Sequence, residues 1–174
     1  MPPGSEDTGR DAPTAFSVAT SRLESPSAER NKDPIWGVLS SRILRRGNEG
    51  NHPWTVLEVA AGAGVHTECF ASRWLSSLED DADKAASEGG DSPPPFVWHA
   101  TDPEDASLAS VRSRVASSPG LEKVVAPPEL LTLGEGGIEA SSPVPSFLSG
   151  GDEPLDLVLC INMIHISPWG RPSG

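Results

Sequence analysis

The sequence predicts an α/β fold built on a parallel sheet, and three observations support this prediction. An apolar segment, Thr55 to Ala60, leads into a glycine-rich turn and then into apolar residues at helical spacing. A second apolar segment ends in Asp102 and is again followed by a helical pattern, and a third apolar run occupies residues 155–166. Strands that alternate with helices in this way form parallel sheets that are covered on both faces.

The composition indicates one acidic domain of ordinary size. The chain has 174 residues, with 25 acidic against 13 basic side chains and a net charge of −12. Such a charge repels phosphate backbones and anionic membranes, so we expect no nucleic-acid partner and no membrane partner. No apolar run reaches membrane-spanning length, and the first residues lack the pattern of a targeting peptide. We therefore expect a cytoplasmic protein, with the nucleus as an open alternative.

The cysteines and histidines do not predict a metal site. The two cysteines, Cys69 and Cys160, fall in apolar segments, and we interpret both as buried, reduced thiols of an intracellular protein. The four histidines and two cysteines show no paired short spacing of the kind that zinc sites use. No Gly-x-Ser-x-Gly elbow of a serine hydrolase occurs either.

The first predicted elements are a disordered leader and a helix. Residues 1–28 are rich in Pro, Ser, Gly and Asp without a sustained period, which is typical of disorder. Asp33 is then a suitable cap for a helix whose first residue is Pro34, because proline needs no N–H there. Arginines gather near the end of this helix, and Gly47 is expected to terminate it.

The glycine turn is the strongest functional signal. Gly62 and Gly64 follow the first strand directly, and any Cβ there would hold a ligand away from the turn's backbone. The turn therefore accepts a nucleotide or an anionic group, although glycines that serve packing alone are the alternative. Thr67 stands where the dinucleotide fingerprint has its third glycine, which weakens an NAD or FAD interpretation.

Asp102 ends the second predicted strand, Phe96 to Thr101, and it is a candidate ribose ligand. Residues 76–95 are poor in large apolar side chains, so we interpret them as a solvated insertion that is dispensable for stability. Without it, Asp102 follows the glycine turn at roughly the 20 residues that nucleotide-binding folds use for this acid. The alternative is that Asp102 caps the helix that begins near Pro103.

The last two strands are predicted around Leu130 to Leu133 and from Leu155 to Ile166. Between them, residues 134–154 form a second insertion rich in Gly, Ser and Pro, which we expect to be a long loop. The run from Leu155 contains no charge after Asp156 and no proline. Asn162 and His165 come at its end.

Three segments together resemble the methyltransferase-like 26 family. They are Arg30-Asn31-Lys32-Asp33-Pro34-Ile35, then Val56-Leu57-Glu58-Val59-Ala60-x-Gly62-x-Gly64-x-His66, and finally Leu155-Asp156-Leu157-Val158-Leu159-Cys160-Ile161-Asn162-Met163-x-His165-x-Ser167-Pro168. The likeness covers about Glu29 to Trp169 apart from the two insertions.

The resemblance implies a Rossmann-like class I methyltransferase sheet and S-adenosylmethionine as the cofactor. Only the N-terminal part of that sheet is expected, with strands 1 to 4 in the order 3-2-1-4, as in a chain truncated after the fourth strand. The edge of the fourth strand would then suit a strand-donating partner. The cofactor-binding residues that the resemblance implies are Glu58, Ala60, Gly62, Gly64, His66 and Asp102, with the alternative that His66 only begins a helix.

Methyl transfer is an in-line displacement in which the protein aligns donor and acceptor. Asn162 and His165 are the catalytic candidates. Asn162 is expected to lie on the acceptor side or simply to close the turn, and His165 to act as a general base or to be a histidine bonded to the backbone. The acceptor is a small molecule or a protein. A noncatalytic or truncated methyltransferase-like fragment is the alternative function.

Overall fold

A computed structural model of the protein describes residues 22–43, 53–88, 96–150 and 154–162. The helices and strands in these residues follow one another in a mostly alternating order. The helices are α1 (Pro26–Val38), α2 (Val65–Glu88), α3 (Asp105–Ser117) and α4 (Ser146–Ser149), with a π-helical turn at Leu39–Ile43 and a 3₁₀ turn at Leu121–Lys123. The strands are β1 (Trp54–Val59), β2 (Phe96–Asp102), β3 (Glu129–Leu130), β4 (Leu133–Gly134), β5 (Gly137–Ile138) and β6 (Leu157–Cys160).

The main sheet has four parallel strands in the order β3-β2-β1-β6. With β6 as the fourth predicted strand, this arrangement confirms the predicted α/β class and the predicted order of the main strands. In the register, Glu58 of β1 lies opposite Ala100 of β2, and Val59 lies opposite Cys160 of β6. The antiparallel hairpin of β4 and β5 was not predicted; it lies within and beside the loop expected at residues 134–154.

The core lies between β1, β2 and the helices α2 and α3. Val56, Phe70 and Val111 are fully buried, and Trp98 is 1% exposed. Phe70 of α2 and Val111 of α3 therefore face this core. Aromatic rings dominate this core: Trp74 stacks on Phe96, with ring centroids 4.2 Å apart.

Helix α1 begins earlier than the sequence indicated. Pro26 occupies its first turn, so α1 includes the last three residues of the predicted leader. Pro34 is not the first residue but lies inside the helix, and Asp33 forms an ion pair with Arg73 of α2 instead of capping α1. The physical reason is that Pro26 supplies the pre-set φ of a helix start and lacks an N–H that would need a partner. Gly47, the expected end of this helix, lies outside the described residues.

Helix α2 is longer than expected. It continues through Glu88, well into the segment predicted as a solvated insertion from residue 76. No glycine or proline interrupts the sequence between Gly64 and Gly89, so nothing breaks the backbone pattern once the helix has begun. The prediction that this segment is dispensable for stability stays a prediction.

One arginine joins three segments of the chain. The guanidinium of Arg114 in α3 donates to the carbonyl of Ala63 (2.7 Å), to the Glu68 carboxylate (2.7 Å) and to the carbonyl of Leu23 (3.1 Å). Ser110, fully buried, donates to the same Ala63 carbonyl and accepts the Leu23 N–H. Burial alone would raise the pKa of Glu68, but the bonds from Arg114 and Ser118 outweigh it and lower this pKa. Residues before α1 are therefore fixed to the turn that follows β1.

Strand β6 is exposed in comparison with β1. Leu159 is buried, but Val158 is 54% exposed and Cys160 is exposed as well. Cys69 is only half-buried, so the expectation of two buried thiols was wrong. The side chains of β6 alternate between the core and the open face, which places Val158 and Cys160 outward. Among the described residues no helix is long and apolar enough to cross a membrane.

Candidate functional site

The turn after β1 has a left-handed backbone at three positions. Ala60, Gly62 and Gly64 have φ values of 55°, 55° and 77°. Ala60 is notable because a residue with a Cβ seldom adopts this conformation outside constrained sites. Its neighbours Ala61 and Gly64 are held by backbone bonds, from the Ala61 N–H to the Thr101 carbonyl and from the Gly64 N–H to the Ala61 carbonyl. The turn is thus bonded to β2 and closed by a hydrogen bond of its own.

The two glycines have different surroundings. A Cβ at Gly64 would lie 3.0 Å from both Cα and Cγ2 of Val111, so this glycine lets α3 pack against the turn. A Cβ at Gly62 would meet nothing within 4 Å among the described residues. Gly62 therefore faces the open side of the turn, whereas Gly64 faces the protein.

Asp102 lies directly against this turn. One carboxylate oxygen accepts the Gly62 N–H at 2.8 Å, and the other accepts the N–H of Glu104 at 3.0 Å. The side chain is 5% exposed. Helix α3 begins only at Asp105 and has no side-chain cap, so Asp102 does not cap it. Instead the carboxylate joins the end of β2 to the glycine turn.

Glu58 is a buried carboxylate behind the turn. Its Oε2 accepts hydrogen bonds from the Thr67 hydroxyl (2.6 Å) and the Trp98 indole N–H (2.8 Å), and the side chain is 2% exposed. Burial raises the pKa of Glu58 to about 7, with a smaller contribution from Asp102, against the lowering effect of its two donors. Glu58 thus connects β1 to α2 and β2, the elements next to the turn.

His66, in the first turn of α2, belongs to a chain of polar side chains. Its Nε2 lies 2.8 Å from Oδ1 of Asn31, and Nδ2 of Asn31 donates to Oδ1 of Asn162 at 3.3 Å. His66 is 5% exposed, and burial lowers its pKa although Glu29 acts in the opposite direction. Asn162 follows β6 with a left-handed backbone, φ 62°. The neutral imidazole is therefore linked to the end of β6 through one amide.

The structure brings most of the predicted site residues to one edge of the sheet. Glu58 lies near the end of β1, just before the turn that contains Ala60, Gly62 and Gly64. Asp102 is hydrogen-bonded to this turn, and His66 lies in the helix that follows it. Asn162 joins this group through Asn31, while His165 lies outside the described residues. Asn31 was missed as a site residue, although it lies in a segment, Arg30 to Ile35, that the family resemblance had singled out. Among the described residues no group of three or more His, Cys, Asp or Glu side chains is placed to hold a metal ion.

The comparisons with known proteins give little beyond this geometry. No family model matches the sequence. A solved structure similar to the chain is that of the DszA carbon methyltransferase, with 21% identity and a TM-score of 0.38. The match covers 79% of this chain and 29% of that one, so the chain spans less than a third of its length. Membership of the methyltransferase-like 26 family stays a prediction.

Proposed function

We propose that this protein binds S-adenosylmethionine at the turn formed by residues 60–64 and transfers its methyl group to an acceptor. The observation that carries the proposal is the contact between Asp102 and Gly62, which joins an acidic strand end to a turn whose open side has room for a ligand. Nucleotide-binding sheets combine the same two features to hold a ribose beside a glycine turn. The residues present therefore fit the cofactor that the family resemblance implied.

Each site residue has a distinct part in this proposal. The Asp102 carboxylate already accepts two backbone N–H groups, and its oxygens keep lone pairs that suit ribose hydroxyls. Gly62 lets the ligand approach the backbone, and Glu58 holds the turn through Thr67 and Trp98. When bound, the cofactor supplies an electrophilic methyl group, and the protein's contribution is to align it with the acceptor.

Filling the open side of the turn tests the cofactor site. Gly62→Asn keeps a residue type that tolerates a left-handed backbone but places a side chain where the ligand would lie. We expect calorimetric titration with S-adenosylhomocysteine to show at least a tenfold weaker affinity, a change of about 1.4 kcal/mol.

Gly120→Asn is the matched control. Gly120 also has a left-handed backbone, φ 82°, but it follows the end of α3, at the opposite end of that helix from Asp102. A Cβ there would lie 3.2 Å from Cδ2 of Leu75, the end of a flexible side chain. Equal loss of affinity in both variants would mean that a left-handed side chain, and not occupation of the turn, weakens binding. Unchanged affinity in Gly62→Asn would place the ligand elsewhere.

A noncatalytic binding protein is the second candidate. The observation that favours it is the position of Asn162, whose Oδ1 already accepts a bond from Asn31, so this catalytic candidate has a structural partner. Incubation with labelled S-adenosylmethionine and a heat-treated, filtered cell extract separates the two functions. Formation of S-adenosylhomocysteine above the level of an Asp102→Ala variant supports transfer to an acceptor, whereas binding without turnover supports the noncatalytic protein.

The remaining parts of the proposal concern location and partners. We place the protein in the cytoplasm. The acceptor is a small molecule or a protein, because the net charge of −12 disfavours binding to nucleic acid. The exposed strand β6 is the surface on which a strand-donating partner would pair. Fractionation of cells that express a tagged full-length chain tests the location.

A further inference from the structure

Three side chains from distant parts of the sequence form a graded path from the surface to the interior. Asn162 is exposed, Asn31 is half-buried, and His66 is almost completely buried. They are joined by hydrogen bonds of 3.3 Å and 2.8 Å. These two bonds use one hydrogen and one lone pair of the Asn31 amide, so each end of this amide keeps capacity for a further partner.

The path lies where ligands bind in sheets of this topology. Strand β1 has β2 on one side and β6 on the other, so the order of the chain reverses between β1 and β6. Val59 and Cys160, the last residues of β1 and β6, are opposite each other in the register. The glycine turn and Asn162 therefore both follow the same edge, and Asn31 spans the gap between them. Ligands of open parallel sheets occupy the crevice at this switch point.

The chemistry of the path suits a group that carries both charges. Amide oxygens accept from an ammonium, amide hydrogens donate to a carboxylate, and the buried imidazole is neutral because burial lowers its pKa. A free α-amino acid group matches this pattern, whereas a phosphate, with negative charge alone, does not.

We propose that Asn31, together with His66 and Asn162, holds the α-amino acid end of the ligand whose ribose is held by Asp102. Asn31 is then the residue that distinguishes a nucleoside carrying an amino acid from one that lacks it. This inference rests on the function proposed above. It assigns to α1 a direct part in ligand selection, and it gives Asn162 a binding role in place of a catalytic one.

A truncated ligand tests this assignment. 5′-Methylthioadenosine keeps the adenosine and the thioether of S-adenosylhomocysteine but lacks the amino acid group. Asn31→Leu removes both hydrogen-bonding ends of the amide at similar volume. We expect it to lower the affinity for S-adenosylhomocysteine at least tenfold and to change the affinity for methylthioadenosine less than twofold. Asp102→Asn is the matched control, since a change at the ribose end is expected to weaken both ligands by a similar factor.

A second variant guards against a folding defect in Asn31→Leu. Asn31→Asp keeps the shape and adds a negative charge, so it should weaken only the ligand that has a carboxylate. Both variants are compared with the parent by thermal unfolding without ligand. The imidazole proton resonances of His66, assigned with His66→Gln, should shift on addition of S-adenosylhomocysteine and not on addition of methylthioadenosine.

The outcomes separate this inference from the function on which it rests. If the parent protein binds both ligands equally well, or if Asn31→Leu weakens both or neither, the amino acid site is wrong and the adenosine site stands. If the parent binds neither ligand, the proposed function fails and the inference fails with it.

Discussion

The two sheet neighbours β1 and β6 are built from similar apolar sequences but have different surroundings. In β1, Val56 is fully buried, and even the carboxylate of Glu58 is enclosed by α2 and β2. In β6, Leu159 is buried while Val158 is more than half exposed. Strand β1 has a hydrogen-bonded strand on both sides, whereas within the described residues β6 has one on the β1 side alone. Apolar composition thus predicts a strand, and its neighbours decide how far it is buried.

The turn after β1 gives the largest expected effect. Gly64→Ala adds a Cβ 3.0 Å from the backbone of Val111 at a left-handed position, and we expect a loss of about 4 kcal/mol in the free energy of unfolding. Gly62→Ala has a similar φ but open space, so the expected loss is about 1 kcal/mol. Urea denaturation of both variants measures the difference. Equal losses would show that α3 does not press closely on the turn.

The second largest expected effect is the pH dependence of stability that the buried carboxylate of Glu58 causes. Strand β6 contains no such group. The pKa of Glu58 is raised from 4.5 to about 7 in the folded protein. Its contribution to stability is therefore complete below about pH 4.5 and is lost as the pH rises through 7. This difference corresponds to roughly 3 kcal/mol. We expect Glu58→Gln to remove that loss, since the amide oxygen still accepts from Thr67 and Trp98.

Denaturation of the parent and of Glu58→Gln at several pH values between 4.5 and 8 measures this contribution. The pKa of His66 is lowered from 6.5, so its contribution is lost as the pH falls, which is the opposite sign. His66 is present in both proteins, and the difference between their curves isolates Glu58. Parallel curves would mean that Glu58 is already charged and well solvated in the folded state.

A matched pair of valines gives the smallest effect and the most direct test of the comparison. Val56→Ala leaves a cavity in the core, with an expected loss of about 2 kcal/mol. Val158→Ala removes the same two methyl groups from a side chain that is 54% exposed, and the expected loss is below about 0.5 kcal/mol. A large loss at Val158 would indicate that this face of β6 is covered in solution, and the concentration dependence of unfolding would then show whether a second copy covers it.

The sequence predicted the main sheet because its signals are local. The apolar runs of β1 and β2, the glycine turn and the helical pattern after Asp102 each lie within a few residues. The start of α1 was missed because Pro26 has a serine on each side and lies in a segment whose composition indicates disorder. The length of α2 was missed because its second half has few large apolar residues, although it also has no helix breaker.

The site was predictable where one segment carries the signal and not where distant segments meet. Gly62 and Asp102 follow from a known spacing along the chain, and the structure joins them. The different surroundings of Gly62 and Gly64 depend on how α3 packs, which their own sequence does not show. The link from His66 to Asn162 through Asn31 depends on the position of α1 relative to β6, and no pairwise pattern in the sequence encodes it.

Arg114 gives the N-terminal segment a mechanical connection to the turn. Leu23 and Ala63 are linked by hydrogen bonds through the guanidinium of Arg114 and the hydroxyl of Ser110. The same two side chains thus bond both the chain ahead of α1 and the carbonyl that precedes Gly64. A binding partner that displaces Leu23 would break its hydrogen bonds to Ser110 and Arg114, the two side chains that also hold the Ala63 carbonyl of the turn.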